Sequence, residues 1–137
     1  AATVGLACKS TSLLLENMDV SIGVMVGPEV LAGSTRLKAG TAQKMVLNML
    51  STATMVRLGK VYQNRMVDVQ STNKKLERRA LEMVFELGEV SMENAAELLH
   101  ESGNHVKTAV VMAKLGINSD SAKKLLEAES GHIGRIL

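Results

Sequence analysis

Between Gly27 and Lys44 the chain reads GPEVLAGSTRLKAGTAQK, which brings glycines, the hydroxyls of Ser34 and Thr35 and the cations Arg36, Lys38 and Lys44 into one strand-to-helix passage. Such a set suits a bound anion, and a phosphate above all. Pro28 cannot donate to a sheet ladder and fits a turn, so the apolar run before it is expected to end there. Gly33 frees the backbone just ahead of Ser34 and Thr35, whose hydroxyls can cap a helix or meet a ligand oxygen. A helix opening at Ser34 would leave its first amides unpaired and aim partial positive charge at the loop, which is a ready place for an anion. Arg36 adds a planar fork for phosphate, and Lys38 a second charge. Glu29 lies where pockets of open α/β sheets gather polar groups. Each residue also has a plain reading: Ser34 and Thr35 as ordinary caps, Arg36 and Lys38 as solvated charges, and Glu29 as a cap or a partner of Lys44. Thr41 and Lys44 fit structural roles equally well.

The elements that must position this passage can be read on either side of it. Thr3 to Cys8 (TVGLAC) is apolar without alternation, as in a strand buried on both faces of a parallel sheet. Ser12 to Asn17 allows one helical turn, and Val20 to Val26 (VSIGVMV) reads as the next strand. From Thr41 to Leu58 apolar residues occupy nearly every face, which predicts a buried helix stopped by Gly59, lying inside the domain or in a subunit interface. Tyr62 to Gln70 reads as a connector anchored by Met66, Val67 and Val69. Ser71 to Asn73 supplies cap candidates for a helix whose Leu76, Ala80, Met83, Val84 and Leu87 share one stripe, with Gly88 as its stop. Three shorter amphipathic helices follow, carried by Met92, Ala95, Ala96 and Leu99, by Val106, Ala109, Val110 and Ala113, and by Ala122, Leu125 and Leu126. Asn104 and Asn118 are their cap candidates and Gly103 and Gly116 their stops, with Ile133, Ile136 and Leu137 closing the bundle.

Composition narrows the classes. With 46% apolar residues but a single Tyr, a single Phe and no Trp, the core must rest on Leu, Val, Ala and nine Met. A net charge of +2 without a basic, aromatic-interleaved patch argues against nucleic acid. No apolar run reaches the ~18 residues that a membrane span needs. A lone cysteine, Cys8, excludes an internal disulfide framework, makes a reduced cytoplasmic setting the expectation, and reads as an inert buried thiol. His100, His105 and His132 lack paired-ligand spacing and read as surface or cap residues, so no metal is expected. No Ser, His and Asp pattern marks a nucleophilic triad.

Gly27, Pro28, Glu29, Gly33, Ser34, Thr35, Arg36, Lys38, Gly40, Thr41 and Lys44 stand in the order of a signature shared by the N-acetylmuramic acid 6-phosphate etherases and the glucokinase regulatory proteins. The chain resembles them there almost position for position. MVLNMLSTATMVRLGK (Met45 to Lys60) and YQNRMVDVQSTNKKLERRA (Tyr62 to Ala80) are similar to the etherase branch in particular. The resemblance implies an α/β fold: residues 1–70 as the C-terminal part of a sugar isomerase (SIS) parallel-sheet phosphosugar-binding domain, and residues 71–137 as a small helical module of ubiquitin-associated-like size. The earlier strands and helices are then expected ahead of Ala1. It further implies a homodimer, no cofactor, and a phosphorylated amino sugar bound by Ser34, Thr35, Arg36, Lys38 and Glu29. The implied activity is cleavage of the D-lactyl ether of N-acetylmuramic acid 6-phosphate, in cell-wall amino-sugar recycling. Family members use glutamates as acid and base; these match no position here, so no catalytic residue is assigned. A non-enzymatic phosphosugar sensor, like the glucokinase regulatory proteins, is the alternative.

Overall fold

The computed structural model describes residues 1–69 and 73–137. The chain forms two compact units, Ala1–Ala53 and Thr54–Leu137. The expected passage from sheet domain to helical module at residues 70 and 71, and the cap candidates Ser71 and Thr72, lie outside the described residues.

In the first unit, β1 (Val4–Ala7) pairs in parallel with β2 (Val20–Gly23), Val4 opposite Val20 and Ala7 opposite Gly23. The link between them holds a single 3-10 turn, Leu13–Leu15. At the strand starts, the Asp19 carboxylate accepts from the Thr3 amide (2.7 Å) and hydroxyl (2.8 Å), and this pairing holds the Asp19 carboxyl below the usual carboxylate range. The second strand is shorter than expected: after Gly23 only the Val24 amide continues the ladder, donating to Ala7 O at 2.9 Å. Beyond it the backbone turns away through Gly27 and Pro28, where a proline cannot donate.

Helix α1 (Lys38–Arg57) follows. It begins at Lys38 rather than at Ser34, because the segment before it is spent on turns: Ser34 N donates to Leu31 O (3.0 Å) and Leu37 N to Ser34 O (3.2 Å). The expectation that this helix is buried all round is not met within the chain. Of its residues only Val46 is buried, while Met45, Leu47 and Met49 are each more than half exposed. A two-stranded sheet offers too little surface to cover more than one row of a twenty-residue helix.

The second unit takes in a short antiparallel hairpin, β3 (Val61–Tyr62) with β4 (Arg65–Met66), where a plain connector was expected. Val67 is its buried anchor and Val69 is half-buried, whereas Met66 points out. Four helices make the core: α2 (Lys74–Gly88), α3 (Met92–Glu101), α4 (Val106–Leu115) and α5 (Ser119–Ala128). The α2 stripe is buried at Ala80, Met83, Val84 and Leu87, as its spacing predicts. Helix α4 is the centre, with Val106, Thr108, Ala109, Val110, Val111 and Met112 all buried. Each fully buried Val there contributes about 1.5–3 kcal/mol over an exposed one. Ile133 closes the bundle and Ile136 packs beside it, while Leu137 is exposed.

Helix starts follow side-chain capping chemistry. Asn73 accepts from Leu76 N (3.0 Å), Ser91 from Asn94 N (3.2 Å) and Asn118 from Ser121 N (2.9 Å). Asn104 is no cap: it sits at φ +63°, its amide closing α3 on Leu99 O (2.9 Å), and the buried Ser102 hydroxyl takes the His105 amide at 3.1 Å. Gly88, expected as a stop, is the last residue of α2; Glu89 takes the left-handed position after it, and its carboxylate pairs with Lys114 at 2.6 Å. Gly88 is there for space, since a Cβ on it would stand 2.9 Å from Ala113 Cβ on α4.

Candidate functional site

A cleft of about 380 Å³ opens at the C-terminal ends of β1 and β2, all of it within the first unit. Its walls come from the end of β1 (Leu6, Ala7, Cys8), the loop after it (Lys9, Ser12, Leu14), the segment after β2 (Val26, Gly27, Glu29), Thr35, and the first turns of α1 (Ala39, Gln43). This is where an open parallel sheet binds ligands, because strand ends and helix starts direct their free polar groups outward there. Among the described residues no three His, Cys, Asp or Glu side chains gather as a metal site.

Glu29 and Thr35 line the cleft; Ser34, Arg36 and Lys38 do not. Gly33 carries the turn at φ +81°, and since a Cβ there would meet nothing within 4 Å, backbone conformation and not crowding requires glycine. Ser34 is half-buried, while Thr35 and Arg36 are exposed at the turn. Lys38 bends back, its ammonium donating to Pro28 O at 2.9 Å.

Glu29 is the best-anchored polar side chain of the passage. Its Oε2 accepts from the Lys38 amide (2.9 Å) and its Oε1 from the Ala39 amide (3.0 Å). The first amides of α1 are therefore filled by the chain's own carboxylate, which corrects the expectation of free amides awaiting a phosphate. Those bonds, Ala39 first and Lys38 next, hold the Glu29 carboxyl below its usual range, with the Lys38 charge as a smaller contribution. Glu29 therefore stays ionised at neutral pH and makes a weak proton acceptor.

Sequence reasoning missed Lys9, Ser12 and Gln43 as cleft residues. The signal available was position alone: Lys9 to Ser12 is the first polar stretch past the end of β1. Cys8, expected to be an inert buried thiol, is half-buried and lines the cleft, its Sγ 3.6 Å from Ala39 O.

No protein-family model matches the chain. Curated relatives do, over its whole length. An N-acetylmuramic acid 6-phosphate etherase of Exiguobacterium sp. is 50% identical over 137 residues, 100% of this chain and 47% of the relative. That of Mycolicibacterium smegmatis is 53% identical over 133 residues (97% and 45%), and that of Bacillus subtilis 46% over 137 residues (100% and 45%). The chain is a homologue of the N-acetylmuramic acid 6-phosphate etherases. It spans about half the length of these relatives. Identity at this level runs through both compact units and not through the glycine-rich passage alone, so the etherase homology extends to the helical unit as well.

Proposed function

We propose that the chain is the phosphosugar-holding part of an N-acetylmuramic acid 6-phosphate etherase, a carbon–oxygen lyase that releases D-lactate and N-acetylglucosamine 6-phosphate. The observation that carries this reading is 46–53% identity with etherases across the chain. Every relative named above is an etherase, which favours the enzyme over a phosphosugar-sensing regulator.

Elimination across the C2–C3 bond of the sugar needs a base for the C2 proton and an acid for the departing lactate, followed by addition of water. Glu29, with its carboxyl held low, suits neither role; an ionised carboxylate in the cleft instead accepts hydrogen bonds. Ser34 and Thr35, at a turn opened by Gly33, supply hydroxyl donors for the phosphate, and Arg36 and Lys38 supply positive charge beside them. In this reading, residues up to 70 form part of an SIS domain and the helical module follows. The enzyme is cytoplasmic and works as a homodimer, for which the exposed Met45, Leu47 and Met49 of α1 supply apolar surface. Among the described residues no helix is long and apolar enough to cross a membrane.

The test is an assay of the full-length protein with N-acetylmuramic acid 6-phosphate, following D-lactate enzymatically. Release of D-lactate with stoichiometric N-acetylglucosamine 6-phosphate is the expected result, and the 137-residue chain alone should give none. Tight binding of the substrate by the full-length protein without any lactate would favour the regulator.

A further inference from the structure

We propose that Glu29 and Lys38 act as a clamp that closes the Pro28–Ala39 loop and sets the Ser34–Thr35 turn, and that neither is a ligand of the sugar. The clamp is built from both ends of the loop. The Glu29 carboxylate reaches forward and holds two successive amides, Lys38 N at 2.9 Å and Ala39 N at 3.0 Å. The Lys38 ammonium reaches back to Pro28 O at 2.9 Å. The loop is thus tied three times across one neck, and Ser34 and Thr35 lie on the closed side of it. The turn inside has its own backbone bonds, Ser34 N to Leu31 O (3.0 Å), Thr35 N to Gly33 O (3.0 Å) and Gly40 N to Thr35 O (2.8 Å). The last of these fastens Thr35 to the first turn of α1, so the position of its hydroxyl depends on where the helix start is held.

The arrangement has a consequence for the anion. A phosphate on the amides of Lys38 and Ala39 would have to displace Glu29 or sit against its charge. Both oxygens of that carboxylate are already engaged, and charge-assisted bonds of this kind are among the stronger ones available to a loop. A phosphate is therefore met by the turn, through Ser34 and Thr35, and the helix start serves to hold the turn still. The carboxylate is suited to an anchor because the Ala39 and Lys38 amides that it holds also favour its ionised form. Lys38, with its ammonium bent onto the backbone, lends charge to the loop without reaching into the cleft.

This inference rests on the reading of the turn as a phosphosugar site, and two measurements on the full-length protein separate the two. The first is hydrogen exchange of the peptide covering residues 27–44 without ligand. The second is calorimetric affinity for N-acetylglucosamine 6-phosphate and for unphosphorylated N-acetylglucosamine. Glu29→Ala and Lys38→Met should each speed exchange in that peptide and weaken the phosphorylated sugar by about tenfold or more, with the unphosphorylated sugar little changed. The double variant should lose less than the product of the two single losses, because both residues hold one loop. Glu29→Gln keeps one acceptor and should fall between wild type and Glu29→Ala; with Lys38→Met it carries the test should the alanine variant fail to fold. Lowered affinity with unchanged exchange would make these residues direct ligands and overturn the clamp. Faster exchange with unchanged affinity would overturn the phosphosugar reading of the turn instead.

Discussion

Replacing Gly88 by Ala should destabilise the helical unit, although helix propensity by itself predicts the reverse. Gly88 is the last residue of α2 and is buried against α4. A Cβ built on it stands 2.9 Å from Ala113 Cβ and 3.5 Å from Val90 Cγ2. Carbon atoms rest at about 3.5–4.0 Å, so the first contact is too close by roughly 0.6–1.1 Å. Both atoms sit on Cβ, where no rotamer change can relieve the overlap, and the helices must move apart. Overpacking of this kind costs about 1–3 kcal/mol, against a gain of at most ~1 kcal/mol from exchanging glycine for alanine in a helix. Even against the full gain a net loss of up to about 2 kcal/mol is expected, which for a unit of this size lowers Tm by up to very roughly 16 °C. The assay is thermal and urea denaturation of the chain followed by far-ultraviolet circular dichroism, for wild type, Gly88→Ala, Ala113→Gly and the double variant. Ala113→Gly removes the atom that the new methyl strikes, so the two changes should couple favourably by about 1–2 kcal/mol. A Gly88→Ala chain that melts higher than wild type, or energies that simply add, would refute the close α2–α4 contact.

Two further outcomes concern the passage that holds the candidate site. Ser34→Ala in the full-length protein should weaken a sugar 6-phosphate by about ten- to a hundredfold, the loss expected for one hydrogen bond to a charged oxygen, and leave the unphosphorylated sugar nearly unchanged; calorimetric titration with both ligands checks this, and equal losses would place Ser34 on the sugar ring. The Ala39 and Lys38 amides hold the Glu29 carboxyl below the usual glutamate range, so its anchoring contribution is complete above that range and is lost as the pH falls through the lowered folded value; carbon-detected NMR titration of Glu29, read beside the Ala39 amide, should give one shared midpoint below that of an unperturbed glutamate, and a midpoint at or above it would mean that the amides do not hold the carboxylate.

Much of this protein was legible along the chain because it depends on neighbours in sequence. The α2 stripe, the caps at Asn73 and Asn118, the stops at Gly103 and Gly116 and the turn at Gly33 each arise within about one helical turn of the residues that cause them. The order of residues in the Gly27–Lys44 passage likewise carried the etherase likeness before any coordinate. What the tertiary structure decided are matters of competition and distance. Whether the first amides of α1 await a phosphate or hold a side chain depends on where Glu29 ends up after a turn of nine residues, and spacing alone does not say. Whether an apolar helix is buried depends on what lies across from it, and in this chain that covers Val46 alone. Gly88 reads as a helix stop in one dimension; that it is a contact surface follows only from Ala113, brought to it by the packing of α4 on α2. Local hydrogen bonds and periodicity are written in short windows, whereas excluded volume and the choice among rival partners exist only once the elements meet.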